Sequence, residues 1–446
     1  RRSYVEGARA ICVVVPTGGG KTWIGSKVVE GAIAKGRRVL WLTHREELVD
    51  QAAASLARIG VDHGLVKAGR TANPTAPIQV ASVQTLTARP QSLPPGDVIC
   101  VDEVHHAAAD TWRALLGRYA RPELILGLTA TPERADKKPL GRASGGVFER
   151  MVAETSVAEL QRTLRPDGHP ILVPCHVVGP ASQQDELWKD PVQALLDHAR
   201  RPSGPLAGRL RPTILFAASI AEAAQIAERA CAAGIRAAAV DGKTPTADRK
   251  ARLEAFARGE LELLTNVMVL TEGFDVPATE VCAVARGCGA VSTWLQMIGR
   301  AIRSSPETGK RDALLIDFRG MSYQHGLVEW DRTFSLEGKA IQTAGDRPSV
   351  SQCKACGAVF TAVPRCPRCG AACTVPRRAT RVRQTETVQI TPDRIPPAAD
   401  RKRFFEALCE TARQRGYKPG WVGMQFKARF GHWPPWPLPS FSGRAA

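Results

Sequence analysis

Short apolar segments, each followed by polar or glycine-rich residues, recur along the first 130 residues of the chain. They lie at residues 12–15, 37–43, 78–82, 98–101 and 124–128, and helical patterns separate several of them. Strands that alternate with helices predict an α/β domain with a parallel, doubly wound sheet, whose ligands bind at the carboxyl ends of the strands. The same pattern returns at residues 213–217, 236–240, 261–265 and 281–285, and it predicts a second such domain.

A glycine-rich segment, PTGGGKT at residues 16–22, follows the first apolar segment and precedes a helix predicted to begin near Lys21. Backbone N–H groups of such a turn point at phosphate oxygens, and the helix dipole favours the anion. Lys21 would reach the β- and γ-phosphates, and the Thr22 hydroxyl would hold Mg²⁺. The full phosphate-loop pattern has Gly where this chain has Val15, so a glycine-rich strand–turn–helix corner is the alternative.

Two adjacent acids, Asp102 and Glu103, follow the fourth apolar segment directly. A carboxylate beside a phosphate loop can hold Mg²⁺, and the next one can polarise the water that attacks the γ-phosphate. The alternative is a pair of charges at a helix N-terminus. His105 and His106 follow, but adjacent helical side chains point in different directions, so no metal site is predicted there.

Arg300 and Arg303 are three residues apart in a predicted helix and are expected on one helical face. Two guanidinium groups that reach across a cleft can stabilise charge on a transferred phosphoryl group. The alternative interpretation is that the RxxR pair only forms part of a solvent-exposed basic face of the helix, as is usual for an isolated pair.

Six segments together resemble the motifs of superfamily 2 helicases of the DEAD/DEAH class. PTGGGKT, LTHREEL, VDEVHH and GLTATP resemble motifs I, Ia, II and III, and TEGFDVP and QMIGRAIR resemble motifs V and VI. The resemblance covers about residues 10–335 and is greatest to bacterial and phage helicases related to XPB, whose motif II is also DEVH. It implies two RecA-like domains that face each other across an ATP cleft.

The resemblance also implies roles for individual residues. The catalytic set is Lys21, Asp102, Glu103, Gln296, Arg300 and Arg303. The set that binds ATP and Mg²⁺ is Thr17, Gly18, Gly19, Gly20, Lys21, Thr22, Asp102, Gly273 and Asp275. His105, Thr129 and Thr131 would couple hydrolysis to domain movement. The nucleic-acid track would be lined by Thr43, Arg45, Gln84, Thr85 and Thr271.

One departure from the family lies at the N-terminus. These helicases carry an adenine-contacting glutamine upstream of motif I in an R-x-Y-Q segment, and residues 2–5, RSYV, lack it. We therefore expect a chain truncated at its N-terminus, with adenine specificity and turnover affected.

The net charge of the chain indicates a binding partner, and its cysteine content indicates a cellular compartment. Lys and Arg number 61 against 43 acidic residues, a net charge of +18 that favours a polyanion such as nucleic acid over a merely basic surface. There is no apolar run of membrane-spanning length and no signal-peptide pattern. Cysteines in apolar segments are typical of reduced, buried thiols. We expect the cytoplasm of a bacterial or phage-infected cell.

Two C-x-x-C-G knuckles follow the helicase-like region and contain Cys353, Cys356, Cys366 and Cys369. Four thiolates at this spacing predict a structural Zn²⁺ site, whereas a redox dithiol would need one pair only. The ribbon either binds nucleic acid or only stabilises a small fold. At the C-terminus, aromatic residues between basic ones can stack on bases, or can form the core of a helical hairpin, which we favour.

The predicted fold is two tandem RecA-like α/β domains with a zinc ribbon and a helical tail. The expected bounds are 1–148 for the ATP-binding domain, 149–210 for a connector, 211–340 for the second domain, 350–375 for the ribbon, 376–400 for a flexible linker and 401–438 for the basic, aromatic tail. The expected function is an ATP-dependent helicase or translocase on DNA, moving 3′→5′, in replication, recombination or repair. A double-strand translocase without unwinding and a non-catalytic nucleic-acid-binding protein are the alternatives, and an RNA helicase is less favoured.

Overall fold

The structure is a computed structural model of the chain. It describes residues 2–44, 46–91, 93–104, 110–119, 122–133, 138–204, 206–271, 275–338, 342–343, 350–361, 363–373, 398–415, 417, 419–430 and 433–435. None of the helices described could cross a membrane. The chain forms two compact units, Arg1–Arg377 and Arg378–Ala446.

The first sheet has eight strands in the order β4-β3-β5-β2-β6-β7-β1-β8. They are β1 Ala10–Val14, β2 Val39–Thr43, β3 His63–Lys67, β4 Arg70–Ala72, β5 Ile78–Ser82, β6 Val98–Asp102, β7 Leu124–Thr129 and β8 Arg150–Val152. Only β4 runs antiparallel to its neighbour. The helices of this part are α1 Arg2–Val5, α2 Lys21–Ile33, α3 Glu46–Arg58, α4 Val83–Ala88, α5 Asp110–Leu116 and α6 Val157–Arg162.

The central strands of this sheet are buried on both faces, which explains their continuous apolar sequences. Every residue of β2 and β5 is buried. Helix α2 packs closely over the sheet at Gly25, where an added Cβ would lie 2.5 Å from the Trp41 ring. The close fit holds the phosphate-loop helix against the strands that carry the site.

The second sheet also has eight strands, in the order β11-β12-β10-β13-β14-β9-β18-β17. They are β9 Cys175–Val178, β10 Thr213–Phe216, β11 Ala237–Val240, β12 Leu263–Asn266, β13 Val281–Val284, β14 Ala313–Asp317, β17 Val350–Gln352 and β18 Ala358–Thr361. Its helices are α7 Pro191–His198, α8 Ile220–Ala232, α9 Thr246–Ala257, α10 Val291–Ile298 and α11 Met321–His325. Together the two sheets confirm the predicted tandem α/β fold.

The segment predicted as a connector contributes to both sheets. Strand β8 pairs in parallel with β1, and β9 pairs in parallel with β14. Part of the expected connector is therefore sheet, because its short strands complete the edges of the two domains.

The cysteine knuckles are joined to the second sheet. Strands β17 and β18 form an antiparallel hairpin, and β18 pairs with β9 at Ala358–Val178 and Val359–Val177. Trp330 Nε1 also donates to Thr361 Oγ1 at 3.1 Å. The ribbon therefore extends the sheet of the second domain.

After the second domain the chain returns to the first, through what we call the return segment, residues 334–337. The carbonyl of Leu336 accepts hydrogen bonds from the backbone N–H groups of Leu140 (2.7 Å) and Gly141 (2.9 Å). Phe334 and Leu336 pack against the first-domain core. On either side lie the two short strands β15 Arg332–Thr333 and β16 Gln342–Thr343, which pair with each other. The chain thus passes between the domains a second time.

The C-terminal unit contains two helices, α12 Ala398–Arg415 and α13 Pro419–Phe430. Phe405, Val422 and Phe426 are buried between them, and the rings of Phe405 and Phe426 meet edge to face at 6.1 Å. These aromatic residues form a small core, as the favoured interpretation of the tail expected. Most of the expected linker, up to residue 397, lies outside the described residues.

Candidate active site

The phosphate loop lies between the end of β1 and the start of α2. Gly18 (φ 83°) and Gly20 (φ 89°) have the left-handed backbone that glycine adopts without strain. Gly20 is the residue that precedes helix α2, and its lack of a side-chain cap leaves the first N–H groups of that helix available. This geometry is suited to a phosphate group, which would supply acceptors for those donors.

Lys21 and the two acids of the DEVH segment meet beside this loop. Lys21 Nζ lies 3.4 Å from Glu103 Oε1. Asp102 ends β6, and its Oδ1 accepts a hydrogen bond from the Glu103 backbone N–H at 3.0 Å. Glu103 has a left-handed backbone with φ 46°, which is uncommon for a residue with a side chain and is typical of functional sites.

The environment of Asp102 perturbs its acidity. Burial and the Glu103 carboxylate raise the pKa of Asp102 while Lys21 lowers it, and the balance leaves this pKa at about 6. Two carboxylates and an ammonium group in one place are an environment that a divalent cation would neutralise. These residues therefore fit Mg²⁺ held by Asp102 and the Thr22 hydroxyl, with Lys21 directed at phosphate.

The threonines of the TAT segment connect this site to the sheet. Thr129 Oγ1 donates to the Thr131 carbonyl at 2.9 Å and accepts from the Thr131 N–H at 3.1 Å. The Thr129 carbonyl accepts from the backbone N–H of Val15, one residue before the phosphate loop, at 2.9 Å. Both threonines are buried. A shift of this segment would therefore be transmitted to the phosphate loop through backbone contact.

The two arginines lie differently from the sequence prediction. Helix α10 contains the buried Gln296 and ends at Ile298, so Arg300 and Arg303 do not share a helical face, and that prediction is wrong. The backbone N–H of Val173 donates to the Ile302 carbonyl at 2.9 Å, and Leu172 forms a β-bridge with Arg303. Pairing with this extended segment prevents residues 302–303 from continuing the helix.

Both guanidinium groups bind motif V residues in the structure. Arg300 donates to the carbonyl of Thr271, and Arg303 forms an ion pair with Asp275. Arg300 is buried and Asp275 is exposed. The partner role of Asp275 and the contact with the 171–173 segment were not foreseen from the sequence, although its three apolar residues were evident.

The phosphate loop and the arginine segment touch each other across the cleft. A Cβ added at Gly18 would lie 2.8 Å from Arg303 Cγ and 2.9 Å from Leu172 Cδ2. A Cβ added at Gly299 would overlap Thr17 Cβ and Cγ2. The sequence separates these residues by more than half of the chain, and the fold brings them into contact through two glycines.

The residues assigned to the nucleic-acid track lie at two strand ends. Thr43 ends β2 opposite Ser82, which ends β5, and Gln84 and Thr85 follow in α4. Gln84 is exposed; its Nε2 donates to the His44 carbonyl, and its Oε1 accepts from Ser82 Oγ at 2.8 Å. Thr43, Thr85 and Thr271 are buried. Arg45, His105 and Gly273 lie outside the described residues.

The four knuckle cysteines converge in space. Their sulfur atoms all lie within 4.8 Å of one another, with 3.7 Å between Cys353 and Cys369 and 3.6 Å between Cys356 and Cys366. A tetrahedral site with Zn–S bonds of about 2.3 Å requires sulfur–sulfur distances of about 3.8 Å. Backbone N–H groups at Cys356 and Ala355 lower the pKa of Cys353 to about 6, which favours the thiolate that a metal binds. The cluster therefore fits Zn²⁺.

Comparison with known protein families gives two matches. The family "Type III restriction enzyme, res subunit" matches residues 1–134, and "Helicase conserved C-terminal domain" matches residues 203–305. The 51.5 kDa protein of a Lactococcus phage (isolate 7-9) is 29% identical over 77% of this chain and 74% of its own length.

Two further comparisons extend this result. Rad25 of Halobacterium salinarum, named as a candidate DNA 3′-5′ helicase, is 26% identical over 68% of this chain, which spans about half (51%) of that relative. A solved fragment of a candidate HsdR subunit of a type I restriction enzyme from Vibrio vulnificus YJ016 matches with a TM-score of 0.53 and 20% identity. The match covers 76% of this chain and 68% of that fragment. At this identity the structural likeness shows the fold alone.

Two RecA-like sheets with a phosphate loop against a motif VI segment define a two-domain motor ATPase. The chain belongs to the superfamily 2 helicases and is an ATP-hydrolysing enzyme.

Proposed function

We propose that this protein is a DNA helicase that moves 3′→5′ and couples ATP hydrolysis to strand separation in replication, recombination or repair. The observation that carries the proposal is the contact between the phosphate loop at Thr17 and Gly18 and the motif VI segment at Gly299 and Arg303. Because this contact joins the two domains, a ligand in the loop would change how they pack. The name of the related Rad25 supports DNA and this direction.

The acids and Lys21 would perform the chemistry at the phosphate loop. When bound, Mg²⁺ neutralises phosphate charge and polarises the phosphoryl group. Thr22 and Asp102 would hold it, and the glycine N–H groups would bind the phosphate oxygens. Lys21 would exchange its contact with Glu103, 3.4 Å away, for the β- and γ-phosphates. The freed Glu103 carboxylate would accept a hydrogen bond from the attacking water and take up its proton.

The second domain would contribute the positive charge for the transition state. Arg303 would leave Asp275 and Arg300 would leave the Thr271 carbonyl, and both would then face the transferred phosphoryl group. Gln296 would contact the γ-phosphate or the water. Each cycle would change the contact between the domains, and Thr129 and Thr131 would transmit the change through Val15. Track residues such as Gln84 would bind the phosphate backbone, so binding should depend strongly on salt.

The test has two assays. The first measures steady-state ATP hydrolysis in the presence of single-stranded DNA, double-stranded DNA or RNA. The second measures unwinding of 3′-tailed, 5′-tailed and blunt duplexes. We expect the greatest stimulation by single-stranded DNA and unwinding from the 3′ tail. Glu103→Gln should lower kcat at least about 100-fold, as loss of a general base does. Lys21→Ala should also abolish turnover. Glu30→Gln, a surface change on helix α2, is the control and should act as wild type.

Other outcomes would replace the proposal with a defined alternative. Stimulation by duplex DNA with triplex displacement but no unwinding would establish a double-strand translocase. Stimulation by RNA alone would make the protein an RNA helicase. Binding without turnover in any condition would leave a non-catalytic nucleic-acid-binding protein.

A further inference from the structure

A basic cavity of about 540 Å³ lies where the second sheet meets the cysteine ribbon. It is bounded by residues 200–203, the loop before β14 and the second cysteine knuckle. Six Lys and Arg side chains line it, with three carboxylates: Arg200, Arg201, Arg211, Lys310, Arg311 and Arg368, and Asp197, Glu280 and Asp312. None of the residues assigned to ATP or to the nucleic-acid track is among its lining residues.

The carboxylates of this cavity are already neutralised. Glu280, which is 5% exposed, forms ion pairs with Arg201 and with Arg211, the latter at 2.7 Å. Arg211 also pairs with Asp312. Asp197 pairs with Lys189, which is not a lining residue. The acidic groups therefore do not balance the remaining cations.

Lys310 fixes the floor of the cavity. Its ammonium donates to the carbonyls of Pro277 (3.1 Å), Thr279 and Ala301. The three carbonyl acceptors hold this group in place as a structural element, and burial lowers the pKa of Lys310 to about 7. Lys310 thus joins the cavity to the segment that carries Arg300 and Arg303.

Three of the arginines that line the cavity are not paired with its carboxylates. Within the described part of the chain, Arg200, Arg311 and Arg368 make no ion pair and no side-chain hydrogen bond, and all three are exposed. The Nε of Arg201 is buried and has no hydrogen-bond partner among the described residues. Burial lowers the pKa of the neighbouring His198; the charges of Lys189 and Arg368 lower it further, and Asp197 raises it. Like charges without partners around one opening favour an anion.

We propose that this cavity binds phosphate groups of a nucleic-acid strand, at a site separate from the predicted motor track. The proposal rests on the proposed function only in that nucleic acid is the partner. Guanidinium groups match phosphate geometry with two parallel N–H donors. A volume of this size corresponds to a drug-sized ligand, which is larger than one free phosphate ion.

The ribbon supplies one of the three arginines, and the metal site fixes its position. The backbone N–H of Arg368 lies 3.4 Å from Cys366 Sγ, a predicted zinc ligand. The ribbon hairpin is joined to β9, whose residue His176 also lines the cavity. The ribbon therefore holds Arg368 at the edge of the second domain and completes the site.

The test compares wild type with the triple variant Arg200→Ala/Arg311→Ala/Arg368→Ala in the full chain, without nucleotide. Binding of a fluorescein-labelled single-stranded DNA oligonucleotide is measured by anisotropy across a range of salt concentrations. Each lost phosphate contact lowers the slope of log K against log salt by about 0.7. We expect the slope to fall by about 2 and the dissociation constant to rise at least about tenfold at low salt.

A matched variant controls for net charge. Lys35→Ala/Arg70→Ala/Lys250→Ala removes the same charge from exposed positions that do not line the cavity, and it should keep the wild-type slope. ATP hydrolysis without nucleic acid should be unchanged in both variants, because none of these residues belongs to the ATP site. Circular dichroism and thermal unfolding verify that both variants fold.

Two results would overturn the proposal. An unchanged slope and affinity in the cavity variant would show that the arginines do not contact nucleic acid. An unchanged slope together with loss of thermal stabilisation by inorganic phosphate would show a site for free anions only. Failure of wild type to bind any oligonucleotide would instead contradict the proposed function, so the two failures are distinguishable.

Discussion

Gly299 provides a direct test of the cleft, because it is the point where motif VI touches the phosphate loop. A methyl group at this position would overlap the Cβ and Cγ2 of Thr17, inside the 3.0 Å that real Cβ atoms essentially never approach. The backbone of Gly299 is helical, with φ −56° and ψ −15°, so alanine is compatible with the local conformation. The perturbation therefore acts on the contact between domains and leaves the chain geometry intact.

The size of the effect follows from packing. Carbon atoms in contact lie about 3.5–4.0 Å apart, so the two segments must separate by roughly 1 Å. Overpacking of this kind costs about 1–3 kcal/mol, which corresponds to about 5–150-fold in a rate or equilibrium constant. A displacement of about 1 Å in a catalytic site alone costs up to about 100-fold. We expect Gly299→Ala to lower kcat/KM for ATP by about 10- to 100-fold.

The assay is nucleic-acid-stimulated ATP hydrolysis, with thermal unfolding measured on the same preparations. Gly31→Ala is the matched control, because Gly31 lies inside helix α2 with no heavy atom within 4 Å of an added Cβ. That variant should keep kcat/KM and gain up to about 1 kcal/mol of stability from helix propensity. Wild-type kcat/KM in Gly299→Ala would refute the reasoning, since the working cleft would not then include this contact.

Two further predictions concern ionisation and metal. Because the pKa of Asp102 is raised to about 6 and only the ionised carboxylate holds Mg²⁺, kcat/KM for MgATP should fall about tenfold per unit below pH 6. The pH at which kcat/KM begins to fall should become lower as the Mg²⁺ concentration is increased. A kcat/KM that stays constant down to pH 5 would contradict the role of Asp102. Metal analysis should find one zinc per chain, lost in Cys366→Ser. Because β18 belongs to the second sheet, that loss should lower the Tm of the helicase core; an unchanged Tm would make the ribbon energetically independent.

Much of the fold could be predicted because the inner strands of a parallel sheet are continuous apolar segments. All nine expected strands occur, within a few residues of the expected bounds. Strands β3 and β8 were not predicted, since each is only partly buried and their place is set by neighbours distant in sequence. Strand β14 was also missed, although its five residues are all buried.

The site was predictable in composition and less so in geometry. The phosphate loop can be recognised from its glycine spacing, and the two acids can be recognised from their position at the end of β6. Both are recognisable because their functional residues are adjacent in the sequence. The break in the helix before Arg300 depends on pairing with Leu172 and Val173, which no local pattern encodes. The basic cavity likewise unites Arg200, Arg311 and Arg368 from three separate segments.

The return segment has a consequence for how the chain folds as it is synthesised. Domains generally fold as units from the N-terminus during translation. Here the first domain lacks Phe334 and Leu336, and the backbone partner of Leu140 and Gly141, until strands β9 to β14 have been made. Closing so long a loop costs entropy that the late contacts must offset. The ATP-binding domain of a nascent chain should therefore remain incompletely packed, and open to chaperones and proteases, until residues 334–336 have left the ribosome.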